Sequence, residues 1–316
     1  MSPERRAALV RARAHGLGFE GVGICDLSPT PHAAALTHWI EQGMAGTMRY
    51  MARQAARRLE PATIVPGVTR AVVVAKNYYQ PDSPPRNGAG RVAKYARGRD
   101  YHQSLRVPLD ALAAYLRTLG DKETIARAYV DAGPVPEREL AQRAGLGWIG
   151  KNTMLISPAG GSYFFLAAVL TSLDLAVDPP FEADRCGSCR RCLDACPTVA
   201  FPTARVLDSR RCISYLTIEH QGVVEPSLWP AVAPWVFGCD ICQAVCPWNE
   251  KFARQADDPM PDRHPELEWL DLADLLAMSD DEFTHRYGWT PLERPGADGM
   301  RRNARIASSS ITDQAS

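Results

Sequence analysis

Apolar residues recur at helical spacing near the start of the chain and then alternate with strand-like runs. The spacing predicts a helix from Pro3 to His15, a short strand that ends at residues 23–25, and a second helix from Pro31 to Gln42. The clearest strand is the uninterrupted apolar run at residues 71–75. Because every position of this run is apolar, we expect the strand to be covered on both faces.

The alternation continues after a loop rich in proline and glycine at residues 81–90. The pattern predicts helices over 104–119 and 135–144, a strand that ends near Val130 and Asp131, and strands at 154–156 and 163–170. Residues 1–175 are therefore predicted to form one α/β domain. Residues 178–180 mark the junction between domains. Residues 176–250 are predicted to form a cysteine-rich domain, and residues 251–316 a C-terminal helical segment with a polar tail.

Eight of the nine cysteines lie between residues 186 and 246. The first four of them follow the ferredoxin-type iron–sulfur spacing, with two, two and three intervening residues and a proline after the last: Cys186, Cys189, Cys192 and Cys196. In proteins with two clusters, the fourth cysteine of such a run ligates the other cluster. A second set of ligands is therefore expected further along the chain.

The later cysteines supply that second set. Cys239, Cys242 and Cys246 repeat the end of the pattern, and Cys212 can replace its missing first member. We predict one 4Fe–4S cluster on Cys186, Cys189, Cys192 and Cys246, and another on Cys196, Cys212, Cys239 and Cys242. Structural zinc is the alternative, since zinc also favours paired cysteines, but it normally uses two such pairs for each site. The ninth cysteine, Cys25, is interpreted as a small buried hydrophobic residue.

Charge and composition set limits on the partners. The chain has 316 residues, 46% of them hydrophobic, and its 36 basic residues balance its 36 acidic ones, so no net charge indicates a nucleic-acid or membrane partner. The longest apolar run, at residues 163–170, is too short to cross a bilayer, and the arginine-rich start lacks a signal-peptide core. We therefore expect a cytoplasmic protein without membrane contact. Cysteines in that reducing compartment are metal ligands more often than disulfides.

One glycine-rich stretch matches the residue spacing of a nucleotide-binding motif. Residues 145–151 satisfy the dinucleotide fingerprint, but they follow a predicted helix and lead into a predicted strand, which is the reverse of the required order. The sequence therefore does not predict NAD or ATP binding here. A close approach of this backbone to another large ligand is the expectation that we keep for these glycines.

Several stretches together resemble one known family, epoxyqueuosine reductase. They are YVDAGPV at 129–135, AGLGWIGKN at 144–152, CGSC at 186–189, RCISYLT at 211–217 and CPWN at 246–249, with shorter matches at 58–61, 98–102 and 287–288. The resemblance covers nearly the whole chain. It implies an α/β (α+β) cobalamin-binding domain like that of reductive dehalogenases, joined to a ferredoxin-like module with two 4Fe–4S clusters.

The resemblance also implies roles for individual residues. Asp131 would be the proton donor, and a carboxyl enclosed beneath a corrin could stay protonated until the epoxide oxygen leaves. Arg138 would either hold substrate phosphate or only solvate its helix, and His102 is interpreted as a local hydrogen-bonding residue. Cobalamin contacts carried over from the family are Arg58, Asp131, Leu155, Leu166 and Ser214. No Asp-x-His-x-x-Gly motif occurs, so no histidine ligand to cobalt is expected.

The implied reaction is reduction of epoxyqueuosine to queuosine at the wobble position of tRNA, with electrons passing from an external donor through both clusters to cobalt. Three basic groups are candidates for the phosphate-binding surface: Arg49, Arg53, Arg57 and Arg58; Arg91, Lys94, Arg97 and Arg99; and Arg210 and Arg211. Many family members continue past the Arg-Asn-Ala signature into a helical-repeat region, whereas here residues 302–304 are followed by a polar tail that we expect to be disordered. Part of the tRNA-binding surface of the family would then be missing. The family implies a monomer.

Three other functions remain open from the residues. The same pair of domains would suit a corrinoid reductase of small molecules, such as halogenated compounds. The chain could also be an iron–sulfur electron carrier without a substrate of its own, although its large α/β domain argues against that. A zinc-stabilised RNA-binding protein is the third alternative.

Overall fold

The computed structural model describes residues 1–255 and 264–312, with backbone alone for 310–312. The elements of the first predicted domain are α1 (Pro3–Gly16), β1 (Gly21–Asp26), α2 (Ala33–Glu41), α3 (Arg49–Arg53), α4 (Ala55–Leu59), β2 (Arg70–Asn77), β3 (Ala89–Val92), α5 (Tyr101–Ser104), α6 (Arg106–Thr118), β4 (Ala126–Val130), α7 (Glu137–Arg143), β5 (Trp148–Ile149), β6 (Leu155–Ile156) and β7 (Phe164–Thr171).

The remaining elements are short until the C-terminal helix. They are α8 (Arg191–Asp194), α9 (Ile213–Ile218), α10 (Trp229–Val232), β8 (Trp235–Phe237), α11 (Ile241–Ala244), α12 (Pro247–Phe252), β9 (Trp269–Asp271), α13 (Leu272–Ala277), α14 (Asp280–Tyr287) and α15 (Gly296–Thr312). In the part of the chain that the structure describes, no helix is both long and apolar enough to cross a bilayer.

The alternation of helices and strands that the hydrophobic pattern predicts is confirmed, with one difference. The helix predicted over 104–119 is α6, but it starts two residues later than predicted, because a separate short helix, α5, ends at Ser104. Pro108 lies in the first turn of α6, where its missing N–H is no loss, whereas inside one continuous helix it would remove a hydrogen bond. The break therefore falls ahead of the proline.

A four-stranded sheet in the order β1-β2-β7-β4 forms the centre of the first domain, and all of its strand pairs are antiparallel. The arrangement is therefore α+β rather than a parallel doubly wound sheet. The expectation that β2 is covered on both faces is confirmed. Val72 and Val74 pack in one core with α1 and α6, and Ala71 and Val73 pack in another with α7.

A second, three-stranded sheet joins distant parts of the chain. Its order is β8-β3-β9, so it takes one strand from each of the three predicted domains. A core on this sheet packs Val92 against Phe237 and Leu270, with residues of α13 and α15. The three segments are thus connected by shared hydrogen bonds and a shared core, and their sequence boundaries stay a prediction.

The C-terminal segment is more ordered than expected. The predicted disorder after residue 304 is wrong as far as Thr312, because α15 runs through residues 302–304 and continues to that residue. Met300, Ala304 and Ala307 are buried in the core of the second sheet, which explains why a polar-looking segment is helical. The remaining predicted tail, residues 313–316, lies outside the described residues.

The glycine-rich stretch at 145–151 forms the approach to a small hairpin of β5 and β6. A Cβ on Gly147 would stand 2.1 Å from the carbonyl oxygen of Ile156, so only glycine lets these backbones meet. This glycine therefore makes a close approach to the protein's own chain, and the approach of the stretch to a large ligand stays a prediction. This backbone follows α7 and enters a strand, as the sequence predicts.

Candidate functional site

The eight cysteines of the second domain lie on short helices and the turns between them. Each is a free thiol, and all are buried or half-buried. The indole nitrogen of Trp148 lies 3.4 Å from the sulfur of Cys186, and the backbone N–H of Ala200 lies 3.4 Å from the sulfur of Cys196. Donors directed at sulfur stabilise thiolates, which are the form that binds iron.

The thiols interact in two groups. In the first group, burial raises the pKa of Cys192, and the charges of Cys186, Cys246 and Cys189 raise it further. Burial likewise raises the pKa of Cys246, and Cys186 and Cys189 are the neighbouring thiols that add to this. These four residues therefore face one another across a common space.

The second group has the same character. Burial raises the pKa of Cys239 strongly, with contributions from Cys212 and Cys196, and burial raises that of Cys242, with contributions from Cys239 and Cys212. Cys192 also acts on Cys242, so the two groups are adjacent. Because four half-buried thiolates repel one another, they can lie together as ligands only if a cationic group is bound between them.

Among the described residues, no three histidine, cysteine or acidic side chains are placed to hold a single metal ion.

Asp131 lies just after β4, at the end of the central sheet. Its φ is 43°, a left-handed conformation that is uncommon for a residue other than glycine and occurs often at functional sites. Its side chain is 64% exposed, and its Oδ2 accepts a hydrogen bond from the hydroxyl of Tyr101. Tyr101 stacks on Phe165 with ring centroids 4.4 Å apart, so its hydroxyl is held in place.

His102 is the second polar neighbour of Asp131, and its Nε2 lies 4.0 Å from Oδ2 of Asp131. The Nδ1 of His102 lies 2.7 Å from Oδ1 of Asp100, which also accepts the backbone N–H of His102. Burial would lower the pKa of His102, but the hydrogen bond and charge of Asp100 outweigh it and raise the pKa above its usual value. Both ring nitrogens thus face carboxylates, which favours the charged imidazolium.

Arg58 holds the loop after Asp131 from the other side. Its guanidinium donates to the carbonyl oxygens of Gly133 at 3.1 Å and Val135 at 3.4 Å. Its Nε is buried and has no hydrogen-bond partner. The Nη1 of Arg138 donates to the carbonyl oxygen of Thr153 at 2.8 Å.

Sequence reasoning missed Glu137, the first residue of α7. Its Oε1 is buried without a hydrogen-bond partner. Burial raises the pKa of this carboxyl to about 8, and the negative charge of Asp131 adds to the shift. The hydrogen bond from the backbone N–H of Glu137 and the charges of Arg58 and Arg138 oppose it less strongly. In a sequence, an acidic residue in the first turn of a helix indicates only a favourable helix dipole. The burial that distinguishes Glu137 becomes visible only in three dimensions.

The remaining residues predicted as cofactor contacts lie in two places. Leu155 is buried and Leu166 is partly buried in the core between the sheet and α7. Ser214 is half-buried on α9, two residues after Cys212. Arg58, Asp131 and Glu137 thus share one polar site, the two leucines supply apolar surface behind the sheet, and Ser214 belongs to the cysteine module.

The C-terminal segment reaches the rim of the Asp131 site. The side chain of Arg294 lies 3.0 Å from Glu219. Burial opposes its charge, but the pairing with Glu219 raises its pKa, and the charges of Tyr50 and Asp131 add to this. Burial raises the pKa of Tyr50, and Glu219 and Asp131 contribute. One functional residue of the rim, Arg294, was therefore not singled out from the sequence.

The second predicted basic group is not a surface for phosphate. Arg97 and Lys94 are buried, and they pair with Asp82, as does Arg91; Arg97 is 3.0 Å from both Asp82 and Glu268. Burial opposes ionisation of Asp82, but these cations outweigh it and depress its pKa. The prediction is wrong for these three residues because their charges are neutralised inside the protein. The other two basic groups are mainly exposed: Arg49, Arg53, Arg57, Arg210 and Arg211.

Two family models match the chain. One describes a 4Fe-4S double cluster binding domain and matches residues 185–249. The other describes epoxyqueuosine reductase QueG, DUF1730, and matches residues 58–132. The first therefore covers all eight clustered cysteines, and the second ends just after Asp131.

Curated relatives match over almost the full length. An epoxyqueuosine reductase of Pseudomonas aeruginosa is 40% identical over 309 residues, covering 96% of this chain and 85% of the relative. One of Gloeobacter violaceus is 41% identical over 312 residues, covering 95% of each chain.

Solved structures agree in fold. An epoxyqueuosine reductase crystallised with a tRNA-Tyr epoxyqueuosine-modified stem loop superposes with a TM-score of 0.89 and 29% identity, covering 98% of this chain and 82% of that one. A Bacillus subtilis epoxyqueuosine reductase, whose catalytic aspartate loop is swung out of the active site, gives a TM-score of 0.87 at 29% identity with the same coverage.

Proposed function

This chain belongs to the epoxyqueuosine reductase family, and on that premise we propose that it reduces epoxyqueuosine in tRNA to queuosine with cobalamin and two 4Fe–4S clusters. The observation that carries the proposal is the position of Asp131. It stands in a strained, exposed loop, with a tyrosine hydroxyl and a histidine fixed around its carboxylate. The same chain carries the double-cluster module.

The cysteine groups fit two clusters. We assign the first cluster to Cys186, Cys189, Cys192 and Cys246, and the second to Cys196, Cys212, Cys239 and Cys242. The grouping of their mutual repulsions supports this division. The interaction between Cys192 and Cys242 supports electron transfer from one cluster to the other. Zinc does not explain this module as well, since the family model that covers it describes two 4Fe-4S clusters.

The residues around Asp131 also fit cobalamin. One buried polar atom without a partner, Arg58 Nε, lies beside the Asp131 loop and suits the amide side chains of a corrin. Arg58, Asp131 and Ser214 are our proposed polar contacts, and Leu155 and Leu166 our proposed apolar ones. When bound, cobalamin supplies low-potential electrons at the epoxide.

Asp131 is our proposed proton donor. Reductive removal of the epoxide oxygen needs an acid near that oxygen, because the oxygen leaves as water rather than as an oxide. The hydroxyl of Tyr101 orients the carboxyl, and the imidazolium of His102 balances its charge between turnovers. When the substrate base covers the Asp131 loop, it would exclude water and so favour the protonated form of Asp131.

The rim supplies charge for the tRNA backbone. We propose that the exposed arginines of α3 and α4, with Arg210, Arg211 and Arg138, contact phosphates around the flipped-out base. Arg294 brings the C-terminal segment to the same rim. Because these contacts release counterions, binding should weaken steeply with salt.

We further propose that the enzyme works as a monomer in the cytoplasm with an external electron donor. One chain supplies both cluster groups and the Asp131 site, which supports a monomer. The absence of a membrane-spanning helix among the described residues is consistent with the location.

The test is anaerobic turnover. The protein is reconstituted with iron, sulfide and cobalamin, given a strong reductant and epoxyqueuosine-containing tRNA, and the released nucleosides are identified by mass spectrometry. We expect queuosine from the wild type and a loss of about a hundredfold or more in Asp131→Asn, because amides do not donate protons at neutral pH. Asp110→Asn, an exposed aspartate of α6, is the matched control and should behave as wild type.

Intact epoxyqueuosine in the presence of both clusters and cobalamin would reject the proposal. The small-molecule corrinoid reductase would then be the better hypothesis. Zinc in place of iron and sulfide would instead reject the cluster assignment.

A further inference from the structure

One oxygen of the Glu137 carboxyl has no partner in the structure. Its Oε1 is enclosed and accepts no hydrogen bond, while Glu139, two residues later on α7, accepts the hydroxyl of Thr30 and pairs with Arg143. An unpartnered buried acceptor costs about 1–3 kcal/mol. A group kept at that cost beside the proposed proton donor needs a functional explanation.

The groups that face Glu137 come from three elements. Asp131 at the end of β4 opposes its ionisation, whereas Arg58 of α4 and Arg138 of α7 favour it less strongly than burial disfavours it. Tyr101 and His102 of α5 lie next to the carboxylate of Asp131. The short segment 131–136, which Arg58 ties down through two carbonyl oxygens, joins the two carboxyls.

The proposed reaction needs two protons. Both carbon–oxygen bonds of the epoxide break, a carbon–carbon double bond forms, and the oxygen leaves as water. The two electrons come from the external donor, and Asp131 supplies one proton. Asp131 is exposed before tRNA binds, but the substrate base would then cover it, so the second proton must come from a group already inside the site.

We propose that Glu137 stores this second proton and passes it to Asp131 during the reaction. The proposal rests on the proposed function. It makes Glu137 a positioning residue for the proton rather than a catalytic residue, since Asp131 alone meets the substrate. After product release, both carboxyls regain their protons from solvent. A pKa of about 8 means that Glu137 carries its proton at neutral pH and loses it in mildly alkaline solution.

The test compares Glu137→Gln with Glu139→Gln, the same substitution on the same helix. Single-turnover rates of queuosine formation are measured on reduced holoenzyme from about pH 6 to about pH 9.5. This range brackets the Glu137 pKa of about 8. We expect the wild-type and Glu139→Gln rates to fall above about pH 8. We expect Glu137→Gln to be slower by roughly tenfold or more and to lack that fall. Glu137→Asp keeps a proton and should restore part of the rate.

A second measurement does not depend on turnover. Infrared difference spectra against pH should contain the C=O stretch of a protonated carboxylic acid that disappears near pH 8 in wild type and in Glu139→Gln, and that is missing in Glu137→Gln. If this band is absent from the wild type, or if Glu137→Gln keeps the wild-type rate and pH profile, the inference is wrong. A wild type that forms no queuosine at all rejects the proposed function instead, which separates the two failures.

Discussion

Glu137 and Glu139 are the same residue type on the same helix, but their environments set opposite behaviour. Glu139 satisfies its oxygens with a hydroxyl and an arginine. Glu137 points into an enclosed space where burial and Asp131 disfavour its charge. Its chemistry is therefore set by position and not by residue type.

This difference predicts a pH-dependent stability. The pKa of Glu137 rises from 4.5 in the unfolded chain to about 8 in the folded protein, so the folded state binds the extra proton between these values. Relative to Glu137→Gln, the wild type should lose stability as pH rises from 4.5 to about 8, with a limiting slope of about 1.4 kcal/mol per pH unit, and should change little above that.

Thermal unfolding of the cluster-containing protein before cobalamin is added would measure this difference. Glu139→Gln is the matched control, for which the stability difference from wild type should not follow the same window. A wild-type curve parallel to that of Glu137→Gln at every pH would contradict the assignment of a buried, protonated Glu137.

Cys25 is a second case in which the environment sets the chemistry. Its side chain is buried in the core between the sheet and α7, and burial raises the pKa of its thiol to about 12. The interpretation of this cysteine as a buried hydrophobic residue is confirmed by its 3% exposure. The same residue type at 186–246 lies on short helices and turns where sulfur atoms face one another.

At the scale of elements, the contact between β1 and α7 positions the site. A Cβ on Gly23 would lie 2.2 Å from the carbonyl oxygen of Ala144, just after the last residue of α7. Only glycine permits strand and helix to approach so closely. Since α7 begins with Glu137 and follows the Asp131 loop, this contact fixes the distance of both carboxyls from the sheet.

Gly23→Ala should therefore destabilise the protein by about 3 kcal/mol or more, because backbone atoms rather than a flexible side chain must move. We also expect lower queuosine formation per folded molecule, as α7 is displaced. Urea unfolding measures the first effect. Gly16→Ala, at the open end of α1 where a Cβ meets nothing within 4 Å, is the control and should be neutral or slightly stabilising. Equal stability of the two variants would disprove the close contact.

At the scale of the whole molecule, the three sequence segments are held together by buried polar groups as well as by the second sheet. Arg97 links Asp82 of the loop after β2 to Glu268 just before β9. The side-chain nitrogen of Asn303 on α15 donates to the carbonyl oxygens of Thr217 and Val236, both at 2.8 Å. The C-terminal helix is thus anchored to the domain that carries the cysteines.

Asn303→Ala should cost about 2–4 kcal/mol, because it leaves two buried carbonyl oxygens without donors. Since Thr217 lies on α9, which follows Cys212, the same variant should also lose iron more readily. Thermal unfolding and iron retention during dialysis measure the two effects. Arg305→Ala, an exposed position on the same helix, should leave both unchanged. A loss of stability without a loss of iron would show that α15 does not support the cysteine module.

The sequence by itself determined the features that depend on local spacing. The cysteine intervals, the apolar run of β2 and the order of α7 before the glycine-rich stretch each reflect neighbours in the chain, so periodicity and spacing predicted them. It also predicted Asp131 through a motif resemblance, because that residue lies within a short contiguous stretch. Spacing could not predict the helical state of residues 305–312, which depends on packing against a distant sheet.

Only the tertiary structure decided what each charged side chain faces. Arg91, Lys94 and Arg97 look like a basic surface in the sequence, but folding buries their charges against Asp82 and Glu268. Glu137 looks like an ordinary first-turn acid, but folding encloses it beside Asp131. The physical reason is the same in both cases, since burial and electrostatic pairing are set by groups far apart in sequence, which local patterns do not record.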